Sequence, residues 1–119
     1  MVQRFDVGPR LSEMAVHAGV AWLAGQVPEV TDDPATREIG NQTRQVLGMI
    51  DHLLERAGTD KTRLLMVQIF LADLADFDGM NAEWDAWVSA GHTPPRATVQ
   101  AKLARPEWKI EVVCTAAVG

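Results

Sequence analysis

The feature that most restricts how this 119-residue chain can fold is a change in apolar spacing along its length. Ile39, Thr43, Val46, Leu47, Ile50, Leu54 and Ala57 recur at three- and four-residue steps, which is one stripe of an α-helix. Gly58 comes next, where a left-handed cap residue is favoured. Before this helix the spacing is two. Glu13–His17 and Val20–Ala24 read as short strands about Ala18-Gly19, a two-residue hairpin turn, and Gln3–Asp6 reads as an extra strand. Leu64–Ala72 is apolar almost throughout, as expected of a strand central in a sheet or covered on both sides. A second helical pattern runs through Phe77, Met80, Asn81, Trp84, Trp87 and Val88 and ends near Gly91. Pro94-Pro95 cannot continue it and forces an extended entry into the next segment.

Two alternating segments close the chain. Arg96, Thr98 and Gln100 point one way and Ala97, Val99 and Ala101 the other; Lys109, Glu111, Val113 and Thr115 alternate with Ile110, Val112, Cys114 and Ala116. The order β-β-α-β-α-β-β predicts an α+β fold in one domain over residues 1–119, with two helices packed on one face of a mixed sheet. The opposite face is then bare. Its apolar content predicts that other copies of the chain cover it.

Charge narrows the function classes. Lys plus Arg is 11 against 16 Asp plus Glu, a net charge of −5, which opposes a surface built to neutralise phosphates. A local basic patch stays compatible with that balance. The one cysteine, Cys114, excludes an intrachain disulfide and any thiolate metal cage. No run is long and apolar enough to cross a bilayer, and Met1-Val-Gln-Arg-Phe-Asp lacks the pattern of a secretory leader, so a reducing, cytoplasmic setting is expected.

Few residues invite chemistry. His17, His52 and His92 fall on a strand, a helix and a loop and read as surface or packing residues rather than metal ligands. Cys114 reads as a small buried hydrophobe, and Trp84 and Trp87 as core or interface anchors. Arg96 and Glu111 differ. The stiff Pro94-Pro95 lead-in fixes where the Arg96 guanidinium points, and Glu111 interrupts the otherwise apolar run Lys109-Ile-Glu-Val-Val. One reading is a structural ion pair, which pattern alone favours because such pairs outnumber catalytic ones. The other is a guanidinium that grips a substrate carboxylate beside a carboxylate that orients water.

Pro95-Arg-Ala-Thr-Val-Gln-Ala-Lys-Leu-Ala followed by Lys109-Ile-Glu-Val resembles the C-terminal signature of the RidA (YjgF-like) imine deaminase family. Gly25-Gln-Val-Pro is similar to that family's glycine loop, and Gln42-Thr-Arg-Gln-Val-Leu to its first helix. Asp73-Leu-Ala-Asp-Phe with Met80-Asn-Ala is similar to the start of its second. The resemblance implies a chorismate-mutase-like fold and a homotrimer with sites in the clefts between subunits. It implies hydrolysis of 2-imino acids, or their enamine tautomers, to 2-oxo acids and ammonia. No metal or other cofactor is then needed, because a protonated imine carbon is already electrophilic.

By the same resemblance Arg96 clamps the substrate carboxylate and Glu111 activates the water. Asn81 and Gly25 lie near the ligand, and Thr98 stands where many relatives carry cysteine. The chain departs from the family in having no tyrosine at all. Gly8-Pro-Arg puts Arg10 where the family's tyrosine stands, either facing the pocket or in solvent, and Ala24 replaces the serine before Gly25. These losses motivate a second reading, a non-catalytic trimer that senses a small carboxylate metabolite. Weak ribonuclease activity, a third, suits the acidic balance poorly, and neither nucleic acid nor membrane is an expected partner.

Overall fold

The computed structural model describes all 119 residues as one six-stranded sheet with both long helices on one side. The strands are β1 (Gln3–Val7), β2 (Ser12–His17), β3 (Val20–Leu23), β4 (Leu64–Leu71), β5 (Arg96–Gln100) and β6 (Ile110–Ala117). The helices are α1 (Ile39–Arg56) and α2 (Phe77–Trp87). Spatial order is β1-β2-β3-β6-β4-β5, and only β4 and β5 run parallel, joined by the α2 crossover. This is the α+β arrangement the spacing predicted.

Local chemistry explains the turns. Ala18 and Gly19 both take positive φ (51° and 80°), as a two-residue hairpin turn with the native strand twist requires. The α1 stripe ends on Gly58 at φ 77°, in the left-handed cap conformation its position predicted. Asp33, Asp60 and Asp73 each accept a hydrogen bond from the backbone N–H two residues on and start a short 3-10 turn that alternation does not reveal. The second helix stops at Trp87, short of Gly91, because Val88 is already extended (ψ 142°).

The core lies between α1, α2 and one sheet face. Ile110, Val112, Cys114 and Ala116 of β6 face the helices with Val67, Ile69 and Leu71 of β4 and Met14, Ala21 and Leu23 of the hairpin. They meet Val46, Leu47, Ile50 and Leu54 from α1 and Met80 and Trp84 from α2. The helices approach closely where Gly79 passes Ile39; a Cβ on Gly79 would lie 2.8 Å from the isoleucine Cγ2. Burial pushes the Cys114 thiol up to about 12, so it stays protonated and inert as packing predicted.

No helix covers the other face. Trp22, Phe70, Val113 and Thr115 line it, Trp22 is 56% exposed, and Val99 on the β5 edge is 47% exposed. The bare apolar face anticipated from the sequence is therefore present.

Candidate active site

Pro94 is buried, and the Pro95 carbonyl accepts the Val67 N–H at 3.0 Å, which ties the double proline to β4 just before β5 begins. Arg96 therefore enters the sheet opposite Val67 and points to the helix side. There Phe77, Asn81 and Trp84, spaced by four and three residues on one stripe of α2, surround it. Arg96 Nη1 donates to Asn81 Oδ1 at 2.8 Å, and its guanidinium carbon lies 5.1 Å from the Trp84 ring centroid and 6.0 Å from that of Phe77. No carboxylate pairs with it; the chain's ion pairs are Arg44–Glu83 and Arg56–Asp6. Two residues on and on the same face, the Thr98 hydroxyl is buried without a hydrogen-bond partner.

Glu111 stands opposite Phe70 on β6, on the bare face of the sheet. Its position depends on a bulge. Trp22 pairs with Thr115 while Gln26 bridges to Val112, so the β3 side carries one residue more than β6 between those pairs. Ala24 and Gly25 occupy the bulge. Ala24 N donates to Glu13 O and Ala24 O accepts from Gln26 Nε2, both at 2.9 Å. A Cβ on Gly25 would collide with the Glu111 carboxylate, so glycine is what lets that carboxylate lie across the backbone. A cavity of about 550 Å³ opens here, with Glu13, Glu29 and Glu111 as its charged walls and Leu11, Met49 and Trp108 among its apolar ones.

The expected site residues thus form two groups. Arg96, Asn81 and Thr98 share the helix face at the β5 edge; Glu111, Gly25 and Ala24 share the bulge on the opposite face. Arg96 and Glu111 do not pair, which overturns the structural ion pair that pattern alone favoured, and within one chain they share no cavity. Arg10 is exposed in the Gly8–Leu11 bend, and its neighbour Leu11, not Arg10, lines the cavity. The histidines are exposed, and no cluster of His, Cys, Asp or Glu is arranged to hold a metal ion. Sequence reasoning missed Phe77 and Trp84 as supports of the guanidinium, although their helical spacing from Asn81 carried the signal. It also missed Glu13, at the start of β2, and Trp108, whose place in the cavity depends on the geometry of the loop before β6.

A six-stranded mixed sheet backed by two helices, with an arginine at its parallel edge and a glutamate over a glycine bulge, defines a class of small α+β ligand-binding proteins. Comparison makes the class specific. Residues 1–118 match the family model described as Endoribonuclease L-PSP. A RutC family protein of Haemophilus ducreyi is 48% identical over 119 residues, covering 100% of this chain and 98% of that one. A crystal structure of a YjgF-family protein from Neisseria meningitidis superimposes with a TM-score of 0.94 at 42% identity, covering 100% and 96% of the two chains. The Reactive Intermediate Deaminase A of Arabidopsis thaliana chloroplasts is 33% identical over 94 residues, covering 79% of this chain and 49% of that protein. The chain belongs to the RidA (YjgF/RutC-like) family.

Proposed function

We propose that this protein hydrolyses 2-imino acids, or their enamine tautomers, to 2-oxo acids and ammonia, in a cleft completed between copies of the chain. The observation that carries this reading is the Arg96 guanidinium, held by Asn81 against two aromatic rings and lacking any carboxylate of its own. An immobilised, unpaired guanidinium is a socket for a planar carboxylate. The Thr98 hydroxyl beside it is a second unfilled polar group.

The Glu111 side supplies the opposite charge. Its carboxylates favour the cationic nitrogen of a protonated imine, as Arg96 favours the carboxylate, so the two half-sites match the two ends of one small zwitterion. Because the halves lie on opposite sheet faces, the reading requires Arg96 of one copy to meet Glu111 of another. A homotrimer in which the β5 edge of one copy seats against the bare face of the next would do this. Water held by Glu111 adds its oxygen to the C=N carbon while the carboxylate takes one of its protons. Glu111 returns that proton to the nitrogen of the tetrahedral intermediate, which leaves as ammonia, while the hydroxyl proton passes to water and the water oxygen stays as the keto oxygen. The family model's name points to RNA, but three carboxylates around the cavity oppose a phosphodiester.

The direct test generates imines in situ with an amino-acid oxidase or a dehydratase and follows their decay. Wild-type protein accelerates decay, and Arg96→Ala returns it to the buffer rate without changing the oligomer. Retained activity in that variant rejects the assigned role. Tight binding of 2-oxo acids with no acceleration by the wild type would instead establish the sensor reading that the missing tyrosine and Ala24 motivate.

A further inference from the structure

The largest cavity of the chain, about 720 Å³, belongs to neither half-site. It lies under the 101–108 loop between β5 and β6, against Ala72 at the end of β4. In a chain of net charge −5 its lining contains no carboxylate and two cations, Lys102 and Arg105, neither of which forms an ion pair. The backbone N–H groups of residues 102–105 make no hydrogen bond within the chain. Leu103, Pro106 and Trp108 supply apolar wall. The Arg105 guanidinium carbon sits 5.7 Å from the Trp108 ring centroid, and the same indole also lines the Glu111 cavity. Trp108 thus separates a cationic cavity from an acidic one.

We infer that this cavity is a second binding site, for a small organic anion that carries one carboxylate on a flat apolar body. Its volume lies in the range of small-molecule sites, and it combines the needed parts. Lys102, Arg105 and the free loop amides meet the charge, and the indole with Leu103 meets the flat body. The site stands independently of the deaminase reading, since its charged groups belong to neither the Arg96 nor the Glu111 half and only Trp108 is shared, as the wall between this cavity and that of Glu111. Occupancy registers at the partition, because an anion that draws Arg105 toward itself changes the surroundings of the Trp108 ring.

Benzoate and, separately, inorganic phosphate are titrated calorimetrically into full-length wild type, Arg96→Ala, and the double variant Lys102→Gln/Arg105→Gln made in the Arg96→Ala background, where the Arg96 socket cannot contribute. Both positions of the double variant are exposed, so the fold is retained, as its circular dichroism will report. The expected result is saturable benzoate binding in wild type and Arg96→Ala, weakened at least about tenfold in the double variant, with phosphate weaker than benzoate. The tryptophan emission change that accompanies binding is then absent from Trp108→Phe. Three results overturn the inference. They are no saturable benzoate binding by Arg96→Ala up to about 1 mM, unchanged affinity in the double variant, and phosphate binding as tightly as benzoate.

Discussion

The parallel edge of the sheet and the bulge on its other face build their charged groups in opposite ways. At the edge, Arg96 is restrained on every side the protein controls: proline before it, Asn81 at one nitrogen, Trp84 and Phe77 beside its plane. A group fixed this way loses little entropy when it binds, which suits holding a substrate in the ground state. At the bulge, the Glu111 carboxylate accepts no hydrogen bond from the chain and rests over Gly25, where any larger residue would displace it. A carboxylate with free lone pairs and a side of bare backbone suits a water molecule. Under the proposed reaction, binding falls to one half and chemistry to the other.

The largest effect tests whether the two halves belong to different copies. Arg96→Ala and Glu111→Gln are each expected to fall to the buffer rate. Unfolding and refolding an equal mixture returns activity if a site takes Arg96 from one chain and Glu111 from its neighbour. In randomly mixed oligomers about one site in four then has both native groups, so activity recovers to about a quarter of wild type. A site contained within one chain recovers nothing.

Gly25→Ala comes next. The Gly25 backbone has negative φ and takes alanine without strain, but the new Cβ pushes the Glu111 carboxylate aside. A displacement near 1 Å at a catalytic group costs on the order of 100-fold, and this loss is expected in kcat with KM little changed. Asn81→Ala strikes the other half more gently. Removing the 2.8 Å contact frees one guanidinium nitrogen, and an increase of about tenfold in KM at near-native kcat is expected. If Asn81→Ala lowers kcat instead, or Gly25→Ala raises KM, the division of labour is wrong.

Much of the fold was legible in the chain, and the rest failed for identifiable reasons. Period change, the Ala18-Gly19 turn and the Gly58 cap set the element order because each acts over a few residues. The alternation in β5 correctly grouped Arg96 with Thr98, and that in β6 grouped Glu111 with Thr115. What alternation cannot supply is the relation between those two groups. β5 and β6 do not touch; β4 lies between them, and a slip of one residue in either ladder would bring Arg96 and Glu111 to the same face. The observed registers, Val67 with Arg96 and Phe70 with Glu111, place them apart. The bulge that seats Gly25 under Glu111 has the same character, since an extra residue in one strand leaves no local mark when both flanking segments still alternate. Pattern singled out Arg96 and Glu111, the resemblance to a family implied their roles and companions, and only the ladders supplied their separation.

The smallest expected effect concerns the strand that borders the acidic half. β1 is mostly exposed and, beyond its antiparallel ladder with β2, is held to the rest of the chain by Phe5 and by the Asp6 carboxylate, which accepts from Arg56 Nη1 and Nη2 at 2.6 and 3.0 Å. Arg56 also lies over the Phe5 ring at 5.3 Å. The hydrogen bonds from Arg56 hold Asp6 below the ordinary aspartate range. A carboxylate whose folded pKa is depressed adds stability above its unfolded value and loses it as pH falls through the folded one. The loss therefore falls below the usual aspartate pKa of 3.8. Both groups are solvent-exposed, so the effect is a small downward shift of the melting temperature in Asp6→Asn at neutral pH. That shift shrinks as both proteins are acidified past the folded pKa. Because Asp6 and Glu13 line one further cavity together, loosening β1 reaches the Glu111 side and not Arg96. Asp6→Asn is accordingly expected to trim kcat slightly and leave KM alone, and a change in KM would place β1 with the binding half instead.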